Sequence, residues 1–165
     1  MANITLKGNA INTIGNLPET GTKAANFTLT AVDLSKKSLS DFAGKKIILN
    51  IFPSVDTGTC ATSVREFNKK AADLDNTVVL CVSKDLPFAQ ARFCGAEGIE
   101  NVVMLSDFAD GNFGKSYELE IADGPLANLH SRSIVIIDEE ENVIYTEQVA
   151  ETTEEPNYTA AISAI

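Results

Sequence analysis

The chain has three cysteines and one histidine, the side chains that most often act as nucleophiles or bases near neutral pH. Among them, Cys60 has the most informative surroundings. An apolar run at residues 47–52 has the length of a strand buried on both faces, and Pro53 ends it. After Cys60, apolar residues recur at spacings of three and four as far as Leu74, which predicts an amphipathic helix. The sequence therefore places Cys60 in the first turn of a helix that follows a buried strand.

A thiol in the first turn of a helix lies among backbone N–H groups that have no intrahelical partner, and these favour its thiolate. The helix terminus contributes about 0.3 to 1 kcal/mol, and at best about 2 kcal/mol. Making an ordinary cysteine largely ionised at neutral pH requires roughly 3 kcal/mol. If Cys60 is a nucleophile, a cation from elsewhere in the chain must therefore approach it. The alternative is a buried, inert thiol, which is common in intracellular proteins.

Pro53, Thr57 and Cys60 follow the P-x-x-x-T-x-x-C pattern of the peroxidatic cysteine in the peroxiredoxins. The surrounding residues 50–68, NIFPSVDTGTCATSVREFN, resemble the thiol peroxidase subfamily, of the atypical 2-Cys type. The similarity continues in three later segments, residues 86–102, 123–138 and 142–149. The resemblance implies a thioredoxin-like fold and thiol-dependent reduction of hydrogen peroxide and alkyl hydroperoxides.

The resemblance also implies roles for particular residues. Cys60 would be the peroxidatic cysteine and Cys94 the resolving cysteine, joined during the cycle by an intrachain disulfide. Arg132, directly before an apolar strand, would stabilise the thiolate and, with Thr57, orient the peroxide. Pro53 would shield the sulfur from water. Recycling by thioredoxin or a similar dithiol, a homodimer, and catalysis without a metal or organic cofactor are further implications of the resemblance.

The other candidate residues have weaker signals. Cys81 lies within a predicted strand, without a helix dipole or exposure, so we expect a packed, inert thiol. Cys94 falls in the last turn of a helix predicted for residues 85–95, a poor place for a primary nucleophile but adequate for attack on an oxidised sulfur. His130 is expected to be a bystander. Because the cysteines and the histidine include no close ligand pair, we do not expect a metal site.

The composition limits the classes of function. With 165 residues and 44% hydrophobic content, we expect one domain, residues 1–165, with a substantial core. A net charge of −10 argues against nucleic acid as a ligand, since no basic stripe is available to replace counterions. The first residues lack a signal-peptide pattern, and no apolar run has the length of a membrane span. We therefore expect a cytoplasmic protein that does not bind membranes.

The overall pattern predicts an α/β protein with a central mixed sheet, flanking helices and an N-terminal hairpin. The predicted strands are residues 4–6, 10–14, 26–30, 47–52, 78–82, 102–106, 133–138 and 143–147. The predicted helical segments are a turn at residues 39–42, a helix that has Cys60 in its first turn and an apolar stripe over 61–74, residues 85–95 with Gly95 just past the helix end, and residues 113–117 and 156–162. The strand–helix–strand unit around Cys60 favours parallel pairing of its two strands.

Two other classes of function remain open at this point. A peroxide sensor would use the same oxidation of Cys60 but pass it to a partner protein. A non-catalytic thioredoxin-like binding module would have no readily ionised thiol. A disulfide oxidoreductase is disfavoured because Cys60 has no C-x-x-C partner.

Overall fold

A two-stranded hairpin begins the chain in the computed structural model, which describes residues 1–165. Its strands are β1 (Asn3–Leu6) and β2 (Asn9–Asn12), which pair antiparallel. Lys7 and Gly8 form the turn with positive φ angles of 51° and 78°, as a type I′ hairpin turn requires at both of its central residues. The predicted hairpin is confirmed, although its second strand ends two residues earlier than predicted.

Seven further strands form the main sheet. They are β3 (Thr28–Ala31), β4 (Lys36–Ser38), β5 (Lys46–Ile51), β6 (Thr77–Ser83), β7 (Val103–Ser106), β8 (Ser133–Ile137) and β9 (Val143–Gln148). Their order across the sheet is β4-β3-β7-β6-β5-β8-β9. The central strands β7, β6 and β5 run parallel, and all other neighbours are antiparallel. The predicted mixed sheet is confirmed, but the sequence does not predict β4, whose Lys-Lys-Ser has no apolar residue.

Helices cover both faces of the main sheet. They are α1 (Gly58–Ala71), α2 (Pro87–Glu97), α3 (Asn112–Ser116) and α4 (Tyr158–Ser163), with a 3₁₀ turn at Leu39–Phe42. The core on one face includes side chains from α1, α2 and α4, and the core on the other face includes side chains from α3 and the 3₁₀ turn. None of the helices combines the length and the apolar composition needed to cross a bilayer.

Successive residues of β5 enter opposite cores. Ile47 and Leu49 pack on the face that carries α3, whereas Ile48 packs with Cys60 and Phe67 of α1. All of these side chains are at most 1% exposed. Burying one such aliphatic side chain contributes about 1.5 to 3 kcal/mol, and a one-residue shift of β5 would exchange the two faces. The register of β5, and hence the start of the chain segment that leads to Cys60, is therefore strongly fixed.

The end of α2 differs from the prediction. The helix continues through Gly95 to Glu97 and ends at Gly98, which has a left-handed φ of 65°. The N–H of Gly98 donates to the carbonyl of Cys94. A glycine often ends a helix because it can adopt the left-handed conformation that the capping position requires. Gly98 adopts that conformation, whereas Gly95 remains helical. Cys94 nevertheless lies in the last turn, as predicted.

The start of α4 also differs from the prediction. The sequence places Pro156 at the first position of this helix, but α4 begins at Tyr158. Asn157 caps the helix, because its side-chain oxygen accepts a hydrogen bond from the N–H of Ala160 at 3.0 Å. The asparagine side chain supplies an acceptor for one of the free N–H groups of the first turn, and a proline side chain has no such acceptor.

Candidate active site

Cys60 is the third residue of α1 and is fully buried. The first hydrogen bond of the helix joins the N–H of Ala61 to the carbonyl of Thr57 at 3.0 Å. The N–H groups of residues 58–60 therefore have no partner within the helix. Their partial positive charge lies next to the sulfur and favours its thiolate.

A cation does approach Cys60: Nη2 of Arg132 lies 3.3 Å from its Sγ. Arg132 directly precedes β8, and Ser133, the first residue of β8, pairs with Ile51, the last residue of β5. Because β8 runs antiparallel to β5, its start lies beside the end of β5, from which the chain continues to α1. The sheet thus brings together two residues that are 72 positions apart in the sequence.

Arg132 is 2% exposed and forms no ion pair with a carboxylate. Its Nε and Nη2 donate to the carbonyl oxygen of Thr152, at 3.1 and 2.8 Å. Burying a charge without a counter-charge costs on the order of several kcal/mol. A thiolate at Cys60 would place the missing negative charge 3.3 Å from the guanidinium.

A pocket of about 390 Å³ adjoins Arg132, whose guanidinium separates it from the buried sulfur of Cys60 by a single 3.3 Å contact. Pro53, Thr57 and Arg132 line it. The other lining residues come mostly from the hairpin turn, the start of α1 and the segment after β9: Leu6, Lys7, Gly58, Thr59, Leu126, Thr152 and Thr153. The structure therefore brings together four of the five residues that the sequence singles out, and the fifth, Cys94, lies elsewhere.

Some donors and acceptors at this pocket form fewer hydrogen bonds within the protein than they could. The hydroxyl of Thr57 donates to the carbonyl of Ser54 at 3.1 Å, which leaves its oxygen free to accept a hydrogen bond. Nη1 of Arg132 and Oγ1 of Thr152 are buried and have no protein partner. An unpaired buried polar group costs about 1 to 3 kcal/mol. The pocket thus offers an acceptor and a cationic donor, which suits a small molecule that carries an O–H group next to a second oxygen.

The other two cysteines differ in their surroundings. Burial raises the pKa of Cys81 to about 12, and its sulfur lies 3.6 Å from Nδ2 of Asn50, inside the sheet core. Cys94 is half-buried on α2, and burial raises its pKa as well. Neither thiol has a neighbouring cation that stabilises a thiolate, so neither has the environment of a primary nucleophile.

Cys60 and Cys94 are on different helices and at different depths. Both α1 and α2 begin at the edge where the parallel strands β5 and β6 end. Cys94 lies about 10 Å along α2 from its first residue, and the axes of packed helices are about 8 to 10 Å apart. A disulfide requires Cα atoms within about 7 Å, so these two thiols need backbone movement to meet.

Side chains link α2 and the residue pair before it to two neighbours: the loop between β5 and α1, residues 52–57, called the Cys60 loop from here on, and α1 itself. The carboxylate of Asp85, just before α2, accepts hydrogen bonds from the hydroxyl of Ser54 at 2.7 Å and from the N–H of Val55 at 2.8 Å. Arg65 of α1 donates to both carboxylate oxygens of Glu97 of α2, at 2.9 Å each. Sequence reasoning missed these residues, since an aspartate before a helix resembles an ordinary cap and gives no indication of a distant loop.

His130, near Arg132 in the sequence, lies in the opposite core. Its Nε2 is 2.9 Å from a carboxylate oxygen of Asp107, and its ring packs against Phe113 of α3. Phe113 belongs to the core on the α3 face, whereas Cys60 belongs to the core on the α1 face. The histidine is therefore part of a buried polar pair away from the pocket.

Known proteins are similar to this chain in sequence and fold. Residues 19–162 match the model of the Redoxin family. A thiol peroxidase from Mycobacterium tuberculosis is 59% identical over 165 residues, which cover 100% of this chain and 99% of that protein. A peroxiredoxin-like protein from Aquifex aeolicus has a TM-score of 0.93 at 35% identity, over 98% of this chain and 94% of that chain. A thiol peroxidase from Chromobacterium violaceum, at 22% identity, has the same fold, with a TM-score of 0.90 over 98% and 93% of the two chains. The expected thioredoxin-like fold is confirmed.

Replacing Arg132 with methionine removes the cation and retains an unbranched apolar stem. We expect alkylation of Cys60 to require a more alkaline pH, and to be slower by about tenfold or more near neutral pH, because the thiolate loses its counter-charge. The rate of reaction with iodoacetamide against pH measures this, in a background with Cys81→Ser and Cys94→Ser so that Cys60 is the only thiol.

The matched control for this experiment is Arg92→Met. Arg92 pairs with Asp56 at 3.0 Å on the surface, next to the loop that leads to Cys60. Its removal takes away one positive charge near the loop without touching the sulfur, so the pH profile should stay that of the unmodified protein. Identical profiles for Arg132→Met and the unmodified protein would contradict the role of Arg132 as the counter-charge.

Proposed function

The chain belongs to the Redoxin family and is a thiol peroxidase of the peroxiredoxin type, and from this premise we propose that Cys60 is the residue that reduces the hydroperoxide. The 3.3 Å contact between Arg132 and the Cys60 sulfur is the observation that carries the proposal. It combines a nucleophilic atom, a cation and a pocket at one place. Proteins of this family reduce peroxides with electrons from thiols, and the pocket wall formed by Leu6 and Leu126 suits an alkyl hydroperoxide as well as hydrogen peroxide.

In the first step, the Cys60 thiolate attacks the terminal oxygen of the hydroperoxide. A sulfur–oxygen bond forms, the O–O bond breaks, and the sulfur becomes a sulfenic acid. The second oxygen leaves as hydroxide or alkoxide and takes up a proton to give water or an alcohol. Arg132, with an N–H group that has no protein partner, would stabilise the charge on the leaving oxygen.

Thr57 would orient the peroxide, and Pro53 would exclude water from the sulfur. The hydroxyl hydrogen of Thr57 is used on the carbonyl of Ser54, so its oxygen is available to accept the O–H of the peroxide. That hydrogen bond would direct the terminal oxygen toward the sulfur. The ring of Pro53 forms part of the pocket wall and has no N–H group that could hold a water molecule.

In the second step, the Cys94 thiol attacks the sulfenic acid, a disulfide forms and water leaves. Burial raises the pKa of Cys94 in the folded site, which makes it a weak nucleophile there. Local unfolding would both expose Cys94 and carry it to Cys60. A dithiol such as thioredoxin would then reduce the disulfide by thiol–disulfide exchange. This cycle requires a reducing compartment, for which we propose the cytoplasm, and no metal or organic cofactor.

We further propose that residues 1–165 form one domain and that two copies pair through an apolar patch. The patch consists of Leu86, Phe88 and Phe108, whose exposures are 50%, 66% and 46%. The hydroxyl of Ser106 donates to the carbonyl of Asp85 and so holds the two segments of the patch together. Exposed aromatic side chains are typical of protein interfaces.

The three cysteines should differ sharply in function. Cys60→Ser should abolish peroxide reduction, and Cys94→Ser should allow a single oxidation but stop thioredoxin-linked cycling. Cys81→Ser should leave both steps unchanged, since Asn50 can hydrogen-bond the new hydroxyl. NADPH consumption with thioredoxin and thioredoxin reductase measures cycling. Full cycling by Cys94→Ser would remove Cys94 from the mechanism, and full activity of Cys60→Ser would disprove the proposal as a whole.

Disulfide formation should unfold two segments and leave the sheet intact. We expect amide hydrogen exchange in the disulfide form to rise in residues 56–66 and 86–98, because the links between Arg65 and Glu97 and from Asp85 must break. Protection of β8 should not change, which provides an internal control. Equal protection of both segments in the reduced and the disulfide forms would show that the thiols meet without unfolding.

A charge in the apolar patch should weaken the dimer. We expect Phe88→Asp and Phe108→Asp to sediment as monomers at concentrations at which the unmodified protein is dimeric, since a carboxylate would be buried in the interface. The control is Leu34→Asp, because Leu34 is 53% exposed and follows β3 at the opposite edge of the sheet. Dimers of unchanged stability in both phenylalanine variants would place the interface elsewhere.

A further inference from the structure

Glu151, directly after β9, uses its carboxylate to hold the turn of the N-terminal hairpin. One oxygen accepts hydrogen bonds from the hydroxyl of Thr5 at 2.7 Å and the N–H of Gly8 at 3.0 Å. The other oxygen accepts from the N–H of Lys7 at 2.9 Å, and also from the N–H and hydroxyl of Thr153. Only an ionised carboxylate can accept from all of these donors. These hydrogen bonds, led by that of Thr5, hold the pKa of Glu151 well below its usual range.

The same segment is also joined to the hairpin by backbone hydrogen bonds. The N–H of Thr5 donates to the carbonyl of Ala150 at 2.7 Å, and the N–H of Thr152 donates to the carbonyl of Thr5 at 2.8 Å. The hairpin turn has two consecutive residues with positive φ, one of them Lys7, which is not glycine. Such a turn is strained without outside support, and its two N–H groups find that support in one carboxylate.

The residue after Glu151 holds Arg132 in place. The guanidinium of Arg132 has two partners in the protein, the carbonyl of Thr152 and the sulfur of Cys60. Its Nη1 has none. The direction of the guanidinium therefore depends on the position of one backbone carbonyl. The carbonyl of Thr153 in turn accepts a hydrogen bond from the hydroxyl of Thr59, in the first turn of α1.

We propose that Glu151 is a positioning residue of the peroxidase site, which fixes the Thr152 carbonyl and thereby holds Arg132 against Cys60. The proposal rests on the proposed function of Arg132 and Cys60. Glu151 touches neither the sulfur nor the substrate, and acts through the backbone of the next residue. It also makes the N-terminal hairpin part of the active site, because the same carboxylate fixes the turn that brings Leu6 and Lys7 to the pocket wall.

The central variant is Glu151→Gln, which keeps the size of the side chain but turns one acceptor into a donor that faces backbone N–H groups. We expect the second-order rate constant for hydrogen peroxide to fall between about ten- and a hundredfold, since small displacements of a catalytic group have effects of this size. Alkylation of Cys60 should shift to higher pH. Competition with a reference peroxidase for limiting hydrogen peroxide measures the rate constant.

The matched control is Asp138→Asn. The Asp138 carboxylate accepts hydrogen bonds from the N–H groups of Glu140 and Asn142 in the turn between β8 and β9, so it is another half-buried carboxylate that holds a turn. We expect its removal to leave the rate constant and the alkylation profile unchanged. A milder variant, Thr5→Val, removes one donor to Glu151 and should shift both quantities in the same direction as Glu151→Gln, by less. It provides the test if Glu151→Gln does not fold.

A double-mutant cycle separates positioning from general damage. If Glu151 acts through Arg132, then Glu151→Gln should slow the protein that has Arg132 but have no effect in the Arg132→Met background. Equal slowing in both backgrounds, or no slowing in either, would overturn the inference. Equal rates for the unmodified protein and Arg132→Met would instead overturn the proposed role of Arg132, and with it the premise.

Discussion

Arg132 carries a positive charge into the interior of the protein, and Cys60 is the group there that can balance it. The guanidinium is 2% exposed and has no carboxylate partner, and its nearest potential anion is the sulfur at 3.3 Å. The helix terminus alone contributes at best about 2 kcal/mol toward ionising a thiol. A buried cation without a counter-charge adds a further and larger driving force. Because both groups are shielded from water, a neutral thiol would leave the charge of Arg132 uncompensated, and that constraint is the physical basis of the role proposed for Cys60.

The sheet makes this contact possible by the order and direction of its strands. β5 delivers the chain to the loop before α1, and β8, antiparallel to it, begins at the same edge with Arg132 just ahead of it. β9 pairs with β8 and returns the chain to that edge, where Glu151 and Thr152 follow. Cores on both faces fix the register of β5. The pairing of β5, β8 and β9 therefore sets the positions of Arg132, Glu151 and the loop that leads to Cys60 relative to one another.

The two steps of the proposed cycle place opposite demands on the structure. Attack on the peroxide requires a closed site in which Arg132 and Thr57 are held in place, whereas formation of the disulfide requires Cys60 and Cys94 to leave their helices. Contacts that maintain the closed form, such as those of Asp85 with the Cys60 loop, lie between α1 and α2. Contacts that hold Arg132 lie on the other side, in the hairpin and after β9. Movement of the thiols would therefore break the hydrogen bond from Thr59 to the Thr153 carbonyl but leave those from Arg132 to the Thr152 carbonyl in place.

Local patterns in the sequence were enough to predict the buried strand, the helix with Cys60 in its first turn, the hairpin and most of the sheet, because each depends on the periodicity and turn residues of a short segment. The resemblance of residues 50–68 to known peroxiredoxins identified the chemistry. The sequence misplaced the end of α2, since either Gly95 or Gly98 could end the helix and only packing decides between them. It gave no sign of the roles of Asp85, Glu151 and the Thr152 carbonyl. Their partners are distant in sequence, and one acts through a backbone atom that every residue possesses, so only the tertiary structure could bring them to the site.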